Sequence, residues 1–428
     1  MCHLPLALPF PLREGDRCVM CGMCLAHCPT YLKSRDEGES PRGRIALMVA
    51  LASGNLPPSP HLRAHLDRCL VCRACEHICP SKVPYGRLID AGRALLLQVD
   101  PPSPPARLIR RVLLEGLIAQ PRRLRGFGWV LYLLQRIGLT KLAPFFGLRR
   151  LAGLLPPLRF PHTLRPHYPA RGVERGRVAL FIGCIARVMD RSTLEAALQV
   201  LTHLGYGVTV PRRQNCCGAL HLHSGDFAGA QRLVQRNQEA FASFGQGAIV
   251  TTASGCGATL AEYPTQKESV TEESPSLAQQ VIDISDFLSR IPWPEGITLR
   301  PLRARVAVHD PCSLTNVLHQ SQAPYTLLRR IPDLTVIPLP GNRQCCGGAG
   351  ASLLTESDIG RALLADKIEA LRKIAPDILV SSNLGCALHL AQGARDAGIA
   401  VEVMHPVTLL ARQLSSNSDK SSKVFRNE

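Results

Sequence analysis

Several common kinds of protein are excluded by what this sequence has little of. No apolar stretch approaches the ~20 uninterrupted residues that a membrane-spanning helix requires. Met1 to Leu12 is apolar, but no Lys or Arg precedes its apolar run, and Pro5, Pro9 and Pro11 interrupt it, so it reads as neither a secretory signal nor a span. Aromatic residues make up only 5% of the chain. Polynucleotide-binding surfaces interleave stacking aromatics with basic groups, so nucleic acid is not the expected partner. No GxGxxG fingerprint and no P-loop occurs, so any flavin or nicotinamide must sit on another chain. Acidic residues are scarce, 33 Asp and Glu against 50 Lys and Arg, which leaves a net charge of +17. The 17 cysteines in 428 residues fall well below the density of a short secreted disulfide scaffold. With 46% hydrophobic and 19% charged residues the chain is not disordered throughout, and its length suggests two to four domains. The expectation is a cytoplasmic protein with reduced, metal-ligating thiolates.

Sixteen of the seventeen cysteines fall into four clusters, with Cys2 apart, and they divide the chain. Residues 1–100 hold two Cys-dense segments, each a loop followed by a helix, joined by a helical stretch from Arg44 to Ala52. Pro101, Pro102, Pro104 and Pro105 then act as a breaker. Residues 101–176 contain no cysteine, and carry 14 Lys and Arg against two acidic residues, Glu115 and Glu174. Their apolar residues recur at helical spacing (Leu108, Ile109, Val112, Leu113; Trp129, Val130, Leu133, Leu134, Ile137), so the segment reads as a basic amphipathic helical linker. From there the chain repeats itself. Arg177 to Cys184 answers Arg305 to Cys312, Asn215 to Gly218 answers Gln344 to Gly347, and Ser254 to Cys256 answers Leu384 to Cys386. Each copy has two short β-type runs (Val178 to Ile182 and Ala248 to Thr252; Val306 to Val308 and Ile378 to Ser381) with helical patterns between, at Asp226 to Ser243 and Asp358 to Ile374. Strands alternating with helices imply α/β units on parallel sheets. Two tandem domains, 177–300 and 301–414, are expected, followed by a polar, aperiodic tail at 415–428.

The first chemistry is carried by Cys18-x2-Cys21-x2-Cys24-x3-Cys28-Pro29 and its recurrence Cys69-x2-Cys72-x2-Cys75-x3-Cys79-Pro80. Three thiolates at two-residue gaps wrap three corners of a four-iron cube, while the fourth Cys, set one residue further on and followed by Pro, ligates the other cluster of a pair. Cys18, Cys21, Cys24 and Cys79 are therefore expected to hold one 4Fe-4S cluster, and Cys69, Cys72, Cys75 and Cys28 the other. Paired CxxC is also a zinc spacing, but zinc needs neither a third Cys in the run nor a crossed fourth ligand. Four-thiolate clusters are anionic, and Arg42, Arg44, Arg68, Arg73, Lys82 and Arg87 are near enough in sequence to offset that charge, although each taken singly reads as a solvated surface residue. Two such clusters pass single electrons.

The second chemistry is the paired Cys-Cys-Gly repeat. One copy supplies Cys184, Cys216, Cys217 and Cys256, the other Cys312, Cys345, Cys346 and Cys386. Gly218 and Gly347 permit the positive-φ turn that brings two consecutive sulfurs to one core. Further iron-sulfur clusters, zinc, a metal-free thiol pair and inert packing all stay open, because thiolate ligands alone do not choose between zinc and iron-sulfur. His221 and His223 follow the first Cys-Cys-Gly and read as turn histidines. His309-Asp310 precedes Cys312, where the first copy has Ile182-Gly183, and offers a hydrogen bond that would orient the ligand.

Taken together, Cys18-Val-Met-Cys-Gly-Met-Cys-Leu-Ala-His-Cys-Pro-Thr-Tyr31, Glu39-Ser-Pro-Arg-Gly-Arg-Ile45, the stretch from His65 to Ser81 and the Cys-Cys-Gly tandem closely resemble the iron-sulfur subunit of glycolate oxidase, from about Gly15 to Leu414. The tandem domains are similar more widely to those of heterodisulfide reductase and of the anaerobic glycerol-3-phosphate dehydrogenase iron-sulfur subunit. The resemblance implies a multidomain α+β and α/β protein: a mostly helical two-cluster ferredoxin-like domain, then two tandem α/β cysteine-rich domains. It implies FAD-containing partner subunits that oxidise glycolate to glyoxylate, with this chain, not catalytic alone, relaying electrons to quinone or another membrane acceptor. Service to a D-lactate or glycerol 3-phosphate dehydrogenase, or thiol/disulfide catalysis, are the alternatives. Against the last, Cys256-Gly-Ala-Thr259 and Cys386-Ala-Leu-His389 lack the second thiol of the CxxC found in heterodisulfide reductase. The basic segment adds an expected peripheral contact with the inner face of the cell membrane.

Overall fold

The computed structural model describes residues 10–140, 142, 149–264, 276–350, 353 and 357–414. Cys2, most of the apolar N-terminus and the tail at 415–428 lie outside the described residues. Among the described residues no helix is long and apolar enough to cross a membrane.

The N-terminal part is helical because its sequence starts helices well. Ser40 caps the Pro41–Ala52 helix by accepting from the Gly43 N–H at 2.9 Å, with Pro at the first turn. Ser59 does the same for Pro60–Asp67, accepting from Leu62 N–H at 3.2 Å. A serine hydroxyl there satisfies an N–H that has no partner within the helix, and Pro removes another. These helices and Tyr85–Val99 close over a core of Ile45, Met48, Leu62, Leu66, Leu88, Ile89 and Leu96, which also encloses Cys69 and Cys75. The thiols thus sit at the rim of an apolar core.

The basic segment forms the helices Pro104–Arg111 and Pro121–Arg136. It is more than a linker. Ala119 and Leu124 are buried in one cluster with Cys184, Val188, Cys216 and Leu233, so the segment walls the first Cys-Cys-Gly repeat. Leu108, Ile109, Val112, Leu113, Val130, Leu133 and Ile137 remain exposed.

Each repeat builds a mainly parallel sheet. The strands of the first are β1 (His167–Tyr168), β2 (Gly176–Phe181), β3 (Tyr206–Thr209), β4 (Ala248–Thr251) and β5 (Val281–Asp283). Those of the second are β6 (Ala304–His309), β7 (Leu334–Pro338), β8 (Ile378–Ser381) and β9 (Glu402–Met404). The sheet orders are β1-β3-β2-β4-β5 and β7-β6-β8-β9. Apart from the antiparallel edge strand β1, the two have one topology. β2 and β6 are central, buried at their last four positions, as parallel strands covered on both faces must be. A single apolar cluster joins the repeats, combining Val178, Leu180, Leu194 and Leu201 with Val306, Val308, Val407 and Leu410. Where helices lie between strands, Asp226 and Ser357 cap Phe227–Phe241 and Asp358–Ile374 through Gly229 and Gly360 N–H.

Candidate thiol and metal centres

In both N-terminal motifs the loop between the first and third cysteine turns through the left-handed region at equivalent places. Met20 (φ 56°) and Gly22 (φ 81°) do so in the first, Val71 (φ 49°) and Arg73 (φ 58°) in the second. A β-branched residue at positive φ is strained, and such strain concentrates at functional loops. The loops gather the eight thiols of the two motifs into one region. Cys18, Cys21, Cys24 and Cys79 line one cavity together with Cys75, Gly22, Arg42 and Pro80. Cys28 is buried within reach of the charges of Cys72 and Cys75, and of Cys24 in its own motif. Cys79 of the second motif thus lines the cavity of the first motif's triplet. Burial pushes the Cys72 and Cys75 thiols well above their ordinary range and Cys24 up to about 11. Sulfurs this buried ionise only beside a positive centre, which is what a metal core supplies.

Arg44, one more surface cation by its sequence, is fully buried. Its guanidinium pairs with the Glu39 carboxylate, and it donates to Glu39 O, to Thr30 Oγ1 (2.9 Å) and to His65 O (2.7 Å). Thr30 Oγ1 lies 3.1 Å from Cys28 Sγ. Burial disfavours the Arg44 charge, but Tyr85, Cys69, Glu39 and Cys28 around it outweigh burial and raise its pKa. The Glu39-to-Arg44 stretch is thus the mould for Cys28. Arg93, also buried, donates to the carbonyls of Leu66 and Cys69 and to His223 O (2.8 Å), and His223 Nδ1 pairs with Asp90 at 3.0 Å. His223 is accordingly a domain tie, while His221 is enclosed, and burial lowers its pKa.

Each repeat brings its four thiols together in the same order. Cys184 Sγ is 3.3 Å from Cys216 Sγ, Cys216 touches Cys217, and Cys217 touches Cys256. In the second repeat the series is Cys312, Cys345, Cys346, Cys386. All eight gather where strands end: Cys184 and Cys312 follow β2 and β6, and Cys256 and Cys386 follow β4 and β8. This carboxyl edge is where α/β sheets collect ligands. Gly218 (φ 88°) and Gly347 (φ 85°) make the turn, and their N–H groups face Cys216 Sγ (3.5 Å) and Cys345 Sγ (3.4 Å). A Cβ on Gly347 would lie 2.5 Å from Gly360 O, whereas on Gly218 the nearest atom is 3.6 Å away. Gly218→Ala is expected to cost about 1–2 kcal/mol from its backbone alone. Gly347→Ala is expected to cost more, and equal thermal midpoints for the two variants would refute this difference.

The thiol groups adjoin one another. Cys72 and Cys312 pack in one cluster with Leu70, Cys345 and Leu363, and Asn316 Nδ2 donates to Cys72 O at 2.8 Å. Between the repeats, Ser254 Oγ meets Ser313 Oγ at 2.8 Å and Ser254 N–H donates to Ser382 O at 2.8 Å. Sequence reasoning missed the buried polar residues that brace these loops. Asn237 accepts from Asn215 N–H (2.7 Å) and donates to Cys216 O (2.9 Å) and Tyr263 Oη (3.0 Å), and Tyr263 Oη donates to Cys217 O (2.7 Å). Gln214 accepts from Ile182 N–H (2.8 Å). Their only sequence signal is a polar side chain within a helical or loop pattern. The position of the missing CxxC thiol is held by Thr259 in one repeat and by buried His389 in the other.

Comparison with known proteins agrees with this layout. Residues 14–83 match the 4Fe-4S dicluster domain family, and residues 178–261 and 306–391 match the Cysteine-rich domain family. The chain is 33% identical over 416 residues to the probable glycolate oxidase iron-sulfur subunit of Bacillus subtilis (strain 168), covering 93% of this chain and 94% of that protein. It is 32% identical over 393 residues to the glycolate oxidase iron-sulfur subunit of Escherichia coli (strain K12), covering 88% and 90%. It is 27% identical over 237 residues to lactate utilization protein A of Geobacillus thermodenitrificans (strain NG80-2), which covers 55% of this chain and 98% of that protein. A helical dicluster domain followed by two Cys-Cys-Gly α/β repeats, matched along nearly the whole length of both glycolate oxidase relatives, makes this chain a member of the glycolate oxidase iron-sulfur subunit family.

Proposed function

We propose that this chain is the electron-carrying subunit of a glycolate dehydrogenase complex, in which a separate FAD-containing subunit oxidises glycolate to glyoxylate. Oxidation of the alcohol releases two electrons and two protons, and electrons then leave the flavin one at a time. The chain divides into a dicluster domain (1–100), a basic helical segment (101–176) and two cysteine-rich domains (177–300 and 301–414), with a tail at 415–428. Cys18, Cys21, Cys24 and Cys79 hold one 4Fe-4S cluster, and Cys69, Cys72, Cys75 and Cys28 the second. Cys184, Cys216, Cys217 and Cys256, with Cys312, Cys345, Cys346 and Cys386, hold further metal centres, iron-sulfur or zinc. When bound, the clusters supply reversible one-electron transfer.

The observation that carries this reading is the contiguity of the thiol groups, Cys72 of the second ferredoxin motif packing with Cys312 and Cys345 of the second repeat. A protein that only stored metal would have no use for adjoining centres; a relay requires them. The glycolate reading is favoured over D-lactate because the two glycolate oxidase relatives align along the dicluster domain and both repeats, whereas the lactate utilization relative aligns over 237 residues. The purified chain alone is expected to show no glycolate turnover. With the flavoprotein present, glycolate is expected to reduce a quinone only when this chain is included; quinone reduction without it would overturn the assignment.

The acceptor side is a membrane surface. The exposed apolar residues of Pro104–Arg111 and Pro121–Arg136 stand among arginines, the composition of a helix that lies on an anionic bilayer. Replacing Ile109, Leu113 and Val130 by Ser leaves the packing of Ala119 and Leu124 untouched. It is expected to release the protein from anionic vesicles in a flotation assay, and undiminished flotation would count against membrane contact.

A further inference from the structure

The two repeats share a topology and a thiol order but differ at one buried position. β2 and β6 end on Phe181 and His309, and the strand registers pair Phe181 with Thr251 and His309 with Ser381. Phe181, not Ile182, is therefore the counterpart of His309. Phe181 packs against Phe241, ring centroids 6.1 Å apart, and brings no donor to the first repeat.

His309 is 2% exposed. Its Nδ1 lies 3.1 Å from Ser381 Oγ, while its Nε2, also buried, has no hydrogen-bond partner. A buried imidazole nitrogen without a partner is costly unless something else takes it up. A ligand nitrogen of His309 and the sulfurs of Cys346 and Cys386 all lie within 4.8 Å of one another, and all three residues are buried. Donors around one tetrahedral ion, at bonds of about 2.0–2.3 Å, stand about 3.3–3.8 Å apart. The three donors thus need only a small contraction to share one ion. If Ser381 Oγ accepts the proton of Nδ1, the tautomer is fixed and the Nε2 lone pair faces the sulfurs, the arrangement by which ligating histidines are oriented.

We infer that His309 Nε2 is a ligand of the metal centre in the second repeat, which makes that centre a mixed thiolate and imidazole site while the first repeat stays all-thiolate. The inference deepens the proposed function and rests on its reading that the second repeat holds metal. With His309, Cys346 and Cys386 as donors, a four-donor centre leaves out one of Cys312 and Cys345, and a neutral imidazole in place of that anionic thiolate lowers the net negative charge of an iron-sulfur centre and raises its potential. The centre beside Cys72 is then the better electron acceptor of the two repeats.

The test uses the full chain, purified anaerobically, with 15N-labelled histidine. Metal content is first compared with that of a Cys345→Ser, Cys346→Ser variant. Unchanged content means that the second repeat holds no metal, and the inference falls with the reading beneath it. If content drops and the metal is iron, pulsed electron paramagnetic resonance of wild type is expected to show coupling to a coordinated histidine nitrogen that is absent in His309→Gln. If the metal is zinc, zinc-edge X-ray absorption is expected to show a nitrogen at about 2.0–2.1 Å that is absent in His309→Gln. His309→Cys keeps a ligand; it is expected to retain the metal with all-sulfur coordination and, for iron, a lower potential. The signals of the two N-terminal clusters report that each variant has folded. Metal bound in the second repeat of wild type with no histidine nitrogen on it would overturn the inference.

Discussion

Cys28→Ala is expected to abolish the cluster of Cys69, Cys72 and Cys75, which begins 41 residues downstream, and to leave the cluster of its own motif in place. Cys79→Ala is expected to do the reverse. The geometry behind this is specific. Cys28 Sγ is held at 3.1 Å from Thr30 Oγ1 and 3.6 Å from Glu39 O, beside the Arg44 guanidinium that Cys69 also adjoins. Cys79 lines the cavity of Cys18, Cys21 and Cys24. Each variant is expected to lose about four irons per chain, one cube's worth. The cluster that disappears is identified by pairing each variant with a second in which the other triplet is also cut. Cys28→Ala with Cys72→Ala is expected to keep one cluster, since both substitutions strike the same one, whereas Cys28→Ala with Cys21→Ala is expected to keep none. If instead Cys28→Ala with Cys21→Ala kept one cluster, the motifs would be self-contained and the crossed arrangement wrong.

Arg44→Met is expected to lower stability by about 3–5 kcal/mol, the usual result of breaking a buried ion pair from one side. The Glu39 carboxylate would keep His65 Nδ1 (2.9 Å) and Arg68 Nη1 (3.1 Å), but the latter side chain is half exposed, and neither replaces the bidentate grip of Arg44 on Glu39 and Thr30. Because Thr30 and Glu39 O both contact Cys28 Sγ, the second cluster should also be lost faster on heating. Adding Glu39→Gln to Arg44→Met is expected to recover part of the loss, because the orphaned charge goes with it. Thermal midpoints and the decay of the cluster absorption read both effects; a single variant as stable as wild type would show that Arg44 is dispensable.

The sequence carried the strand and helix plan of the repeats because their registers are simple: a short apolar run that must be covered on both faces, then an amphipathic helix. Val178 to Ile182 and Ala248 to Thr252 fall on β2 and β4 to within a residue or two. What it could not carry were contacts set by tertiary packing. Arg44 reads like any of the 50 cations until Glu39, Thr30 and His65 close around it. The 101–176 segment reads as a linker because nothing in its periodicity says that Ala119 and Leu124 pack beside Cys184 and Cys216. Setting His309 against Ile182-Gly183 is out of step with the alignment of Arg177–Cys184 on Arg305–Cys312, which places Phe181 opposite His309, as the strand registers do.

The central claim is that electrons from glycolate enter this chain. It is tested most directly by tagging the chain in its native host, purifying it anaerobically with whatever it binds, adding glycolate, and recording electron paramagnetic resonance. The account predicts that a flavoprotein accompanies the chain and that reduced-cluster signals appear on adding glycolate. Intact clusters that stay oxidised with glycolate, yet become reduced with D-lactate or glycerol 3-phosphate, would contradict it.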